Sequence, residues 1–170
     1  TRFIVAGGDV SNSQVNIIEY FTIANTGNAT DFGDLAANRN TAGGCNSTTR
    51  GIIGGGKESS SGVNTIEQVE IATTANSTDF GDLTAAKFNG GAIGNNSRGI
   101  HSGGRTPTIL NVIEYIHFAS TGNAADFGDL TSARLDVKSI NNRTRGVTGS
   151  GATPGNSNVM DFITIQTLGN

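Results

Sequence analysis

Tryptophan is absent from this chain of 170 residues, and cysteine and methionine occur once each. A single Cys45 cannot close an internal disulfide, and it leaves no cysteine-based zinc ligand set. Charged residues make up 15% of the chain, against about a quarter in ordinary soluble proteins. That scarcity excludes a coiled coil and a charge-rich disordered tail. No apolar run approaches the ~20 residues that span a bilayer, so no membrane insertion is expected. The net charge is −3 and the pI about 5.2, which excludes nucleic acid as the main partner, because phosphate binding needs a basic field. No signal peptide is visible and the first residue is Thr1, so a processed product or a fragment of a longer chain is expected. What the chain has instead is 25 glycines together with much Asn, Ser and Thr. Hydrophobic residues at 35% are enough for one domain with a real core.

The sequence repeats itself. Asp31-Phe32-Gly33-Asp34 returns as Asp79-Phe80-Gly81-Asp82 and again as Asp126-Phe127-Gly128-Asp129, at spacings of 48 and 47 residues, with a leucine following each time. Arginine recurs in step at Arg2, Arg50, Arg98 and Arg145, and an acid recurs at Glu19, Glu67, Glu114 and Asp161. Glycine clusters follow the arginines at Gly7-Gly8, Gly54 to Gly56, Gly103-Gly104 and Gly149 to Gly151. Four kinds of landmark in one order define a repeat.

Each period reads as β-structure. No window carries a helical stripe, and Ser, Thr, Asn and Gly interrupt the chain at the spacing of short strands. Four strands fit one period: a near Phe88–Gly94, b at Arg98–Gly103, c at Asn111–Ala119 and d at Ala125–Leu130. Strand c is apolar on both faces. Val112, Glu114, Ile116 and Phe118 lie on one side, with Ile113, Tyr115 and His117 on the other; Ile17 to Ile23 repeat the pattern. Such a sheet is covered on both sides, as in stacked propeller blades. About fourteen strands, or three and a half blades, are expected. One repeat domain over 1–170 divides into a partial blade 1–38, blades 39–86 and 87–133, and a partial blade 134–170. The count does not close a ring. The chain is then part of a longer one, or is completed by another chain through an open sheet edge, or forms an open array.

At these residues the chain resembles a kelch-type repeat. Arg50-Gly51-Ile52-Ile53-Gly54-Gly55-Gly56 is similar to the kelch double-glycine strand, and Asn64-Thr65-Ile66-Glu67-Gln68-Val69 to the outer strand that follows. Phe80 and its equivalents stand where the usual tryptophan would be. The wording Thr-Arg-Gly-Ile-Ile-Gly-Gly-Gly with Asn-Ser-Thr-Asp-Phe-Gly-Asp-Leu resembles kelch-like proteins encoded by marine phages, especially cyanophages. The resemblance implies an all-β, kelch-like β-propeller segment. It also implies a virion component, in a tail or fibre, and an extracellular setting.

The Asp-Phe-Gly-Asp box has two readings. Paired carboxylates near an Asn can hold Ca²⁺. Asp and Asn also bind their own backbone in turns, and Gly supplies a positive φ. The box recurs in every complete repeat whereas an active site occurs once, so it is read as structural, its Phe packing between blades. No metal or other cofactor is expected. The acid of strand c lies within an apolar face and needs a partner. The Arg that begins strand b is the first candidate, and the second Asp of the box is another; an alternative is a ring of Arg lining a channel for an anionic glycan. The glycine clusters lack the helix a phosphate loop requires, so they are read as close packing and as the tight exit from strand b. His101 and His117 sit at unrelated positions and Cys45 in a Gly- and Asn-rich segment, so no metal or nucleophilic set is expected. His117 is expected to be packed and hydrogen-bonded. The protein is not expected to be an enzyme.

The b–c loops, Asp9–Gln14, Lys57–Gly62, Arg105–Leu110 and Ala152–Asn158, differ among repeats while their flanking strands keep their pattern. Recognition tends to reside on such loops. Ser59, Ser60, Ser61, Arg105 and Thr106 are the candidate binding residues. A non-catalytic structural and binding module is expected, presenting loops to a host surface glycan or receptor. The partners expected are further copies of the chain or other virion proteins. A purely architectural, self-assembling repeat is the alternative, and an extracellular enzyme on a propeller scaffold a third reading.

Overall fold

The computed structural model describes residues 2–169, and every element in them is a β-strand. Along the chain, β1 (Arg2–Ala6) leads through two short strands, β2 (Asp9–Val10) and β3 (Ser13–Gln14), to β4 (Ile17–Thr22) and β5 (Thr30–Asp34). Then come β6 (Gly43–Asn46), β7 (Arg50–Gly54), β8 (Lys57–Glu58), β9 (Ser61–Glu70) and β10 (Thr78–Lys87). The next unit is β11 (Gly91–Gly94), β12 (Arg98–Ser102), β13 (Val112–His117) and β14 (Ala125–Asp129). The last contains β15 (Lys138–Asn141), β16 (Arg145–Gly149), β17 (Ala152–Thr153), β18 (Gly155–Asn156) and β19 (Met160–Thr164).

These strands form four successive antiparallel sheets. Their orders are β1-β4-β5, then β6-β7-β9-β10, then β11-β12-β13-β14, then β15-β16-β19. Without the two-residue strands, the sheets hold three, four, four and three strands, fourteen among the described residues. Strands a, b, c and d fall close to where the repeat places them. Strand a starts later than Phe88, because Asn89 takes a left-handed φ of 59° and Phe88 instead bridges to Arg105. The described residues form no closed ring of sheets.

The core lies between sheets rather than within a single layer. Ile18, Phe32 and Leu35 of the first sheet pack on Ile53 and Val69 of the second. Ile52, Ile66, Phe80 and Leu83 of the second pack on Ile116 and Phe118 of the third. Ile100, Ile113, Phe127 and Leu130 of the third pack on Ile163 and Ile165 of the fourth. Four positions recur in all three clusters: Ile18, Ile66 and Ile113; Phe32, Phe80 and Phe127; Leu35, Leu83 and Leu130; and Val69, Ile116 and Ile163. The two inner sheets are therefore covered on both faces, as the two-sided pattern of strand c requires.

The box is a β-bulge. Glu19 faces Asp31 and Ile18 faces Gly33, leaving Phe32 with no partner across the ladder. The same shift leaves out Phe80 and Phe127. An extra residue turns the strand, and here it drives the phenyl ring into the interface. All three rings are 2% exposed. The glycine that follows has φ of 147°, 148° or 145°. A Cβ on Gly33 would lie 2.4 Å from the Ala75 carbonyl oxygen, and one on Gly81 2.4 Å from that of Gly122. Glycine is needed there because the next sheet's turn sits directly against it.

Candidate functional site

Two kinds of constellation bear on function: the residues that join one sheet to the next, and the loops that stand clear of the joints.

The acid of strand c is buried where a preceding sheet covers it, yet its partner is not the arginine of strand b. Glu67 is 1% exposed and pairs with Arg39, Glu114 is fully buried against Lys87, and Asp161 pairs with Arg134. Each cation follows the first Asp of its box by eight residues and reaches the acid of the next sheet. The carboxylates also accept backbone N–H groups from that preceding sheet: Ala36 to Glu67 at 3.2 Å, Thr84 to Glu114 at 2.7 Å and Thr131 to Asp161 at 3.3 Å. A buried charge is tolerated only with such pairing. Arg39, Lys87 and Arg134 keep the period of the acids, so the sequence carries this signal. It is masked because one of the three is lysine.

The strand-b arginines do another job. Arg2, Arg50 and Arg98 each donate from Nη1 to a backbone carbonyl of the next sheet, those of Ile71 at 2.8 Å, Phe118 at 2.7 Å and Ile165 at 3.0 Å. Their guanidinium groups sit over an aromatic ring of their own sheet where one exists, Arg2 4.4 Å from Tyr20 and Arg98 4.8 Å from Tyr115. Arg145 lies 4.8 Å from Phe162 in the same way. The second sheet has Gln68 at that place, and Arg50 pairs instead with Glu70 at 3.0 Å. The expected Arg–acid pair within each repeat is thus replaced by two separate clamps between repeats. In the first two boxes the second Asp joins the next turn through its N–H, Asp34 donating to Asn76 Oδ1 and Asp82 to Asn123 Oδ1, both at 3.1 Å. Asp31, Asp79 and Asp126 point to solvent.

The second interface holds the only buried histidine among the described residues. His101 is 3% exposed, with Cys45 Sγ 4.0 Å from its Nε2. Sequence reasoning placed the two apart; their separation of 56 residues hides a contact made by neighbouring sheets. Burial pulls the His101 pKa down to about 4, the Lys87 ammonium adds to that fall, and Glu114 opposes it. Burial pushes the Cys45 thiol up to about 12. Burial would also raise the Glu114 carboxyl, but Lys87 and hydrogen bonds from Thr84 outweigh it and hold it below the usual range. A neutral imidazole beside an un-ionised thiol is a packed pair rather than an activated nucleophile. His117 is exposed, contrary to expectation, with its ring 5.3 Å from Tyr115 in an edge contact. It follows the last inward residue of β13, where no neighbouring sheet covers it.

The loops form small hairpins at one edge of the sheets. Two of them, 57–62 and 105–110, flank a cleft of about 330 Å³ lined by Ser60, Ser61, Phe88, Arg105, Thr106 and Pro107. The structure therefore brings Ser60 and Ser61 together with Arg105 and Thr106 across two repeats. Sequence reasoning missed Phe88, which lies on the d–a connection outside the loops. Its ring is half-buried, with the Arg105 guanidinium 5.7 Å and the Lys57 ammonium 5.9 Å away. Its backbone is tied to Arg105 in both directions, at 3.0 and 2.9 Å. One repeat earlier the same position is Asn40, in a polar cleft of about 580 Å³ with Asp9, Gln14, Lys57 and Ser59. Gln14 locks the two hairpins together: its amide donates to the Lys57 carbonyl at 2.9 Å and its Oε1 accepts from the Ser59 N–H at 2.6 Å. Ser59 thus belongs to the polar cleft, while Ser60 and Ser61 face the aromatic one.

None of the protein-family models matches this chain, and no curated protein matches it.

Proposed function

We propose that the chain is a segment of a kelch-like β-propeller, about three and a half blades long, that acts as a non-catalytic recognition module. In this reading it is part of an extracellular virion tail or fibre and presents its b–c loops to a host surface glycan or receptor. The wording of the repeat supports the phage setting. Four consecutive antiparallel sheets, packed face to face through a recurring set of positions, support the propeller.

The observation that carries the binding role is the pair of adjoining clefts. One has a phenyl floor between two cations, and the other is walled by amides, a carboxylate, two hydroxyls and Lys57. A ring beside polar donors and acceptors matches a sugar, which offers an apolar face and a rim of hydroxyls. A glycan array, read with the intact chain, tests this. Binding should weaken roughly tenfold for Phe88→Ala, as loss of one stacked ring implies. It should also fall when 57–62 and 105–110 are replaced by Gly-Ser. Absence of glycan or host-cell binding by the intact chain overturns the reading.

The architectural alternative has an observation of its own. The outer face of the first sheet exposes Phe3, Val5, Phe21 and Ile23, at 51%, 47%, 38% and 57%. Val69 and Ile116, the repeat equivalents of Phe21, are buried. Glu19 is exposed where Glu67 and Glu114 are buried and paired. At the other end Met160 and Phe162 are 71% and 62% exposed. Both ends thus carry surfaces that elsewhere in the same molecule are interfaces.

A further inference from the structure

Most cations of this molecule are committed to the joints. Arg2, Arg50 and Arg98 clamp carbonyls of the next sheet, and Arg39, Lys87 and Arg134 hold acids between sheets. Lys57 and Arg105 do neither, and neither has an ion-pair partner among the described residues. They occupy one repeat position, the residue that follows the glycine cluster, which is Asp9 in the first repeat and Ala152 in the last. The landmarks that recur in every repeat serve the joints. A position whose chemistry changes from copy to copy is where a single site can be built on a repeating scaffold.

Backbone pairing fixes where the two cations stand. Lys57 exchanges N–H···O bonds with Asn40 at 2.8 and 3.1 Å, and Arg105 with Phe88 at 2.9 and 3.0 Å. These are the same rung in adjacent repeats, and its next copy joins Leu135 to Ala152. The Phe88 ring thus has one cation from its own repeat, Arg105 Cζ at 5.7 Å, and one from the repeat before, Lys57 Nζ at 5.9 Å. Ring and cations coincide only here among the described residues.

No acidic residue lines the cleft beside this ring. Glu58, the chain neighbour of Lys57, turns to Arg39 instead, 3.7 Å from its Nη2. Asp9 shares the polar cleft with Lys57, but Asn40 Nδ2 donates to its two oxygens at 3.0 and 2.8 Å. A local positive field therefore stands on a chain whose net charge is −3.

We infer that the ligand of this cleft is an acidic sugar, one that carries a carboxylate or a sulfate ester. The inference rests on the glycan reading above and adds charge as the feature that selects among glycans. The anionic group lies between Lys57 and Arg105 at the rim of the phenyl ring, whose edge is electropositive. The guanidinium fork of Arg105 matches two of its oxygens, and the Lys57 ammonium supplies a point charge. The pyranose lies against Phe88 with its hydroxyls toward Ser60, Ser61 and Thr106. A neutral sugar makes the same contacts but leaves both cations to water.

The test measures binding of the intact chain to four probes: an oligogalacturonate, its methyl ester, a sulfated oligogalactan and the same galactan without sulfate. At least one acid form should bind at least tenfold tighter than its neutral counterpart, with an affinity that falls as salt is raised. The pair that shows the difference identifies carboxylate or sulfate as the group. Arg105→Gln and Lys57→Gln should each remove most of that preference. Arg143→Gln, which changes an exposed cation in the turn between β15 and β16, should leave it intact. Phe88→Ala should weaken acid and neutral forms alike. Equal affinity for the acid and neutral forms of both pairs, or a preference that Arg143→Gln reduces as much as Arg105→Gln, overturns the acidic ligand. Binding on the wider glycan array that is confined to neutral sugars also overturns it, and in each of these cases the glycan reading stands. No binding to any sugar overturns both.

Discussion

At the scale of residues, the joints depend on single ion pairs, and position in the array decides their worth. Arg39 and Glu67 are each 1% exposed. Removing one partner strands the other charge in a low dielectric, so Arg39→Met should cost about 3–5 kcal/mol in urea unfolding. Glu19, the same repeat position on the uncovered face, is exposed; Glu19→Gln should change stability by less than about 0.5 kcal/mol. Equal costs for the two would refute the claim that burial between sheets sets the value of the acid. His101 makes a second prediction. Its folded pKa of about 4 lies below its ordinary 6.5, so between those values the unfolded chain binds the extra proton. Stability should therefore fall as pH drops from about 6.5 to about 4 and gain no further loss from this group below that, a contribution on the order of 3 kcal/mol. Lys87 and Cys45 face the imidazole across the interface, and Glu114, paired opposite it on the neighbouring strand of the same sheet, adds acid loss of its own. His101→Gln isolates the histidine: its unfolding free energy should lose this part of the slope, and an unchanged pH profile would mean the imidazole is already solvated.

At the scale of elements, the box is legible in sequence but its geometry is not. Three copies of Asp-Phe-Gly-Asp announce something structural, and a turn with a positive φ at the glycine was the natural reading. The strand-d bulge became visible only when the ladder registers were known, because a bulge is a relation between two strands. The glycine's requirement likewise comes from the neighbouring sheet. Gly81→Ala would set a Cβ 2.4 Å from the Gly122 carbonyl oxygen at a φ of 148°, and should destabilise the chain by at least ~2 kcal/mol. Gly27→Ala, with open space around it and no left-handed φ, should be close to neutral in the same thermal scan. If both shift Tm alike, the close approach between sheets is not what selects glycine. The loops show the same division. Their variability marks them as candidates, yet Phe88 lies outside them and joins the cleft only because its backbone bridges to Arg105.

At the scale of the whole molecule, each sheet buries its faces against its neighbours, so the two ends inherit apolar faces. Burial of a Phe or Ile side chain contributes about 1.5–3 kcal/mol, and several lie uncovered on the first sheet alone. Concentration-dependent self-association is the expected consequence. Light scattering should show a mass that rises with concentration for the parent chain and falls toward the monomer for Phe21→Ser combined with Met160→Ser. A monomer at all concentrations would remove the architectural reading and leave the recognition reading untouched.

The order of landmarks along the chain was enough to establish the repeat, the all-β class, the four-strand unit and the approximate strand positions, because each of these depends on residues close in sequence. Period-2 patterning, glycine at tight exits and the absence of helical stripes all act within one unit. Partner choice was decided by the tertiary structure. Arg39 meets Glu67 and His101 meets Cys45 because one sheet lies face to face on the next; Phe88 is bridged to Arg105 within its own repeat and shares a cleft with Ser60 of the preceding one. Periodicity predicts that equivalent residues share surroundings, but not which residue of the neighbour supplies those surroundings. That depends on the offset between stacked sheets, which no single repeat contains.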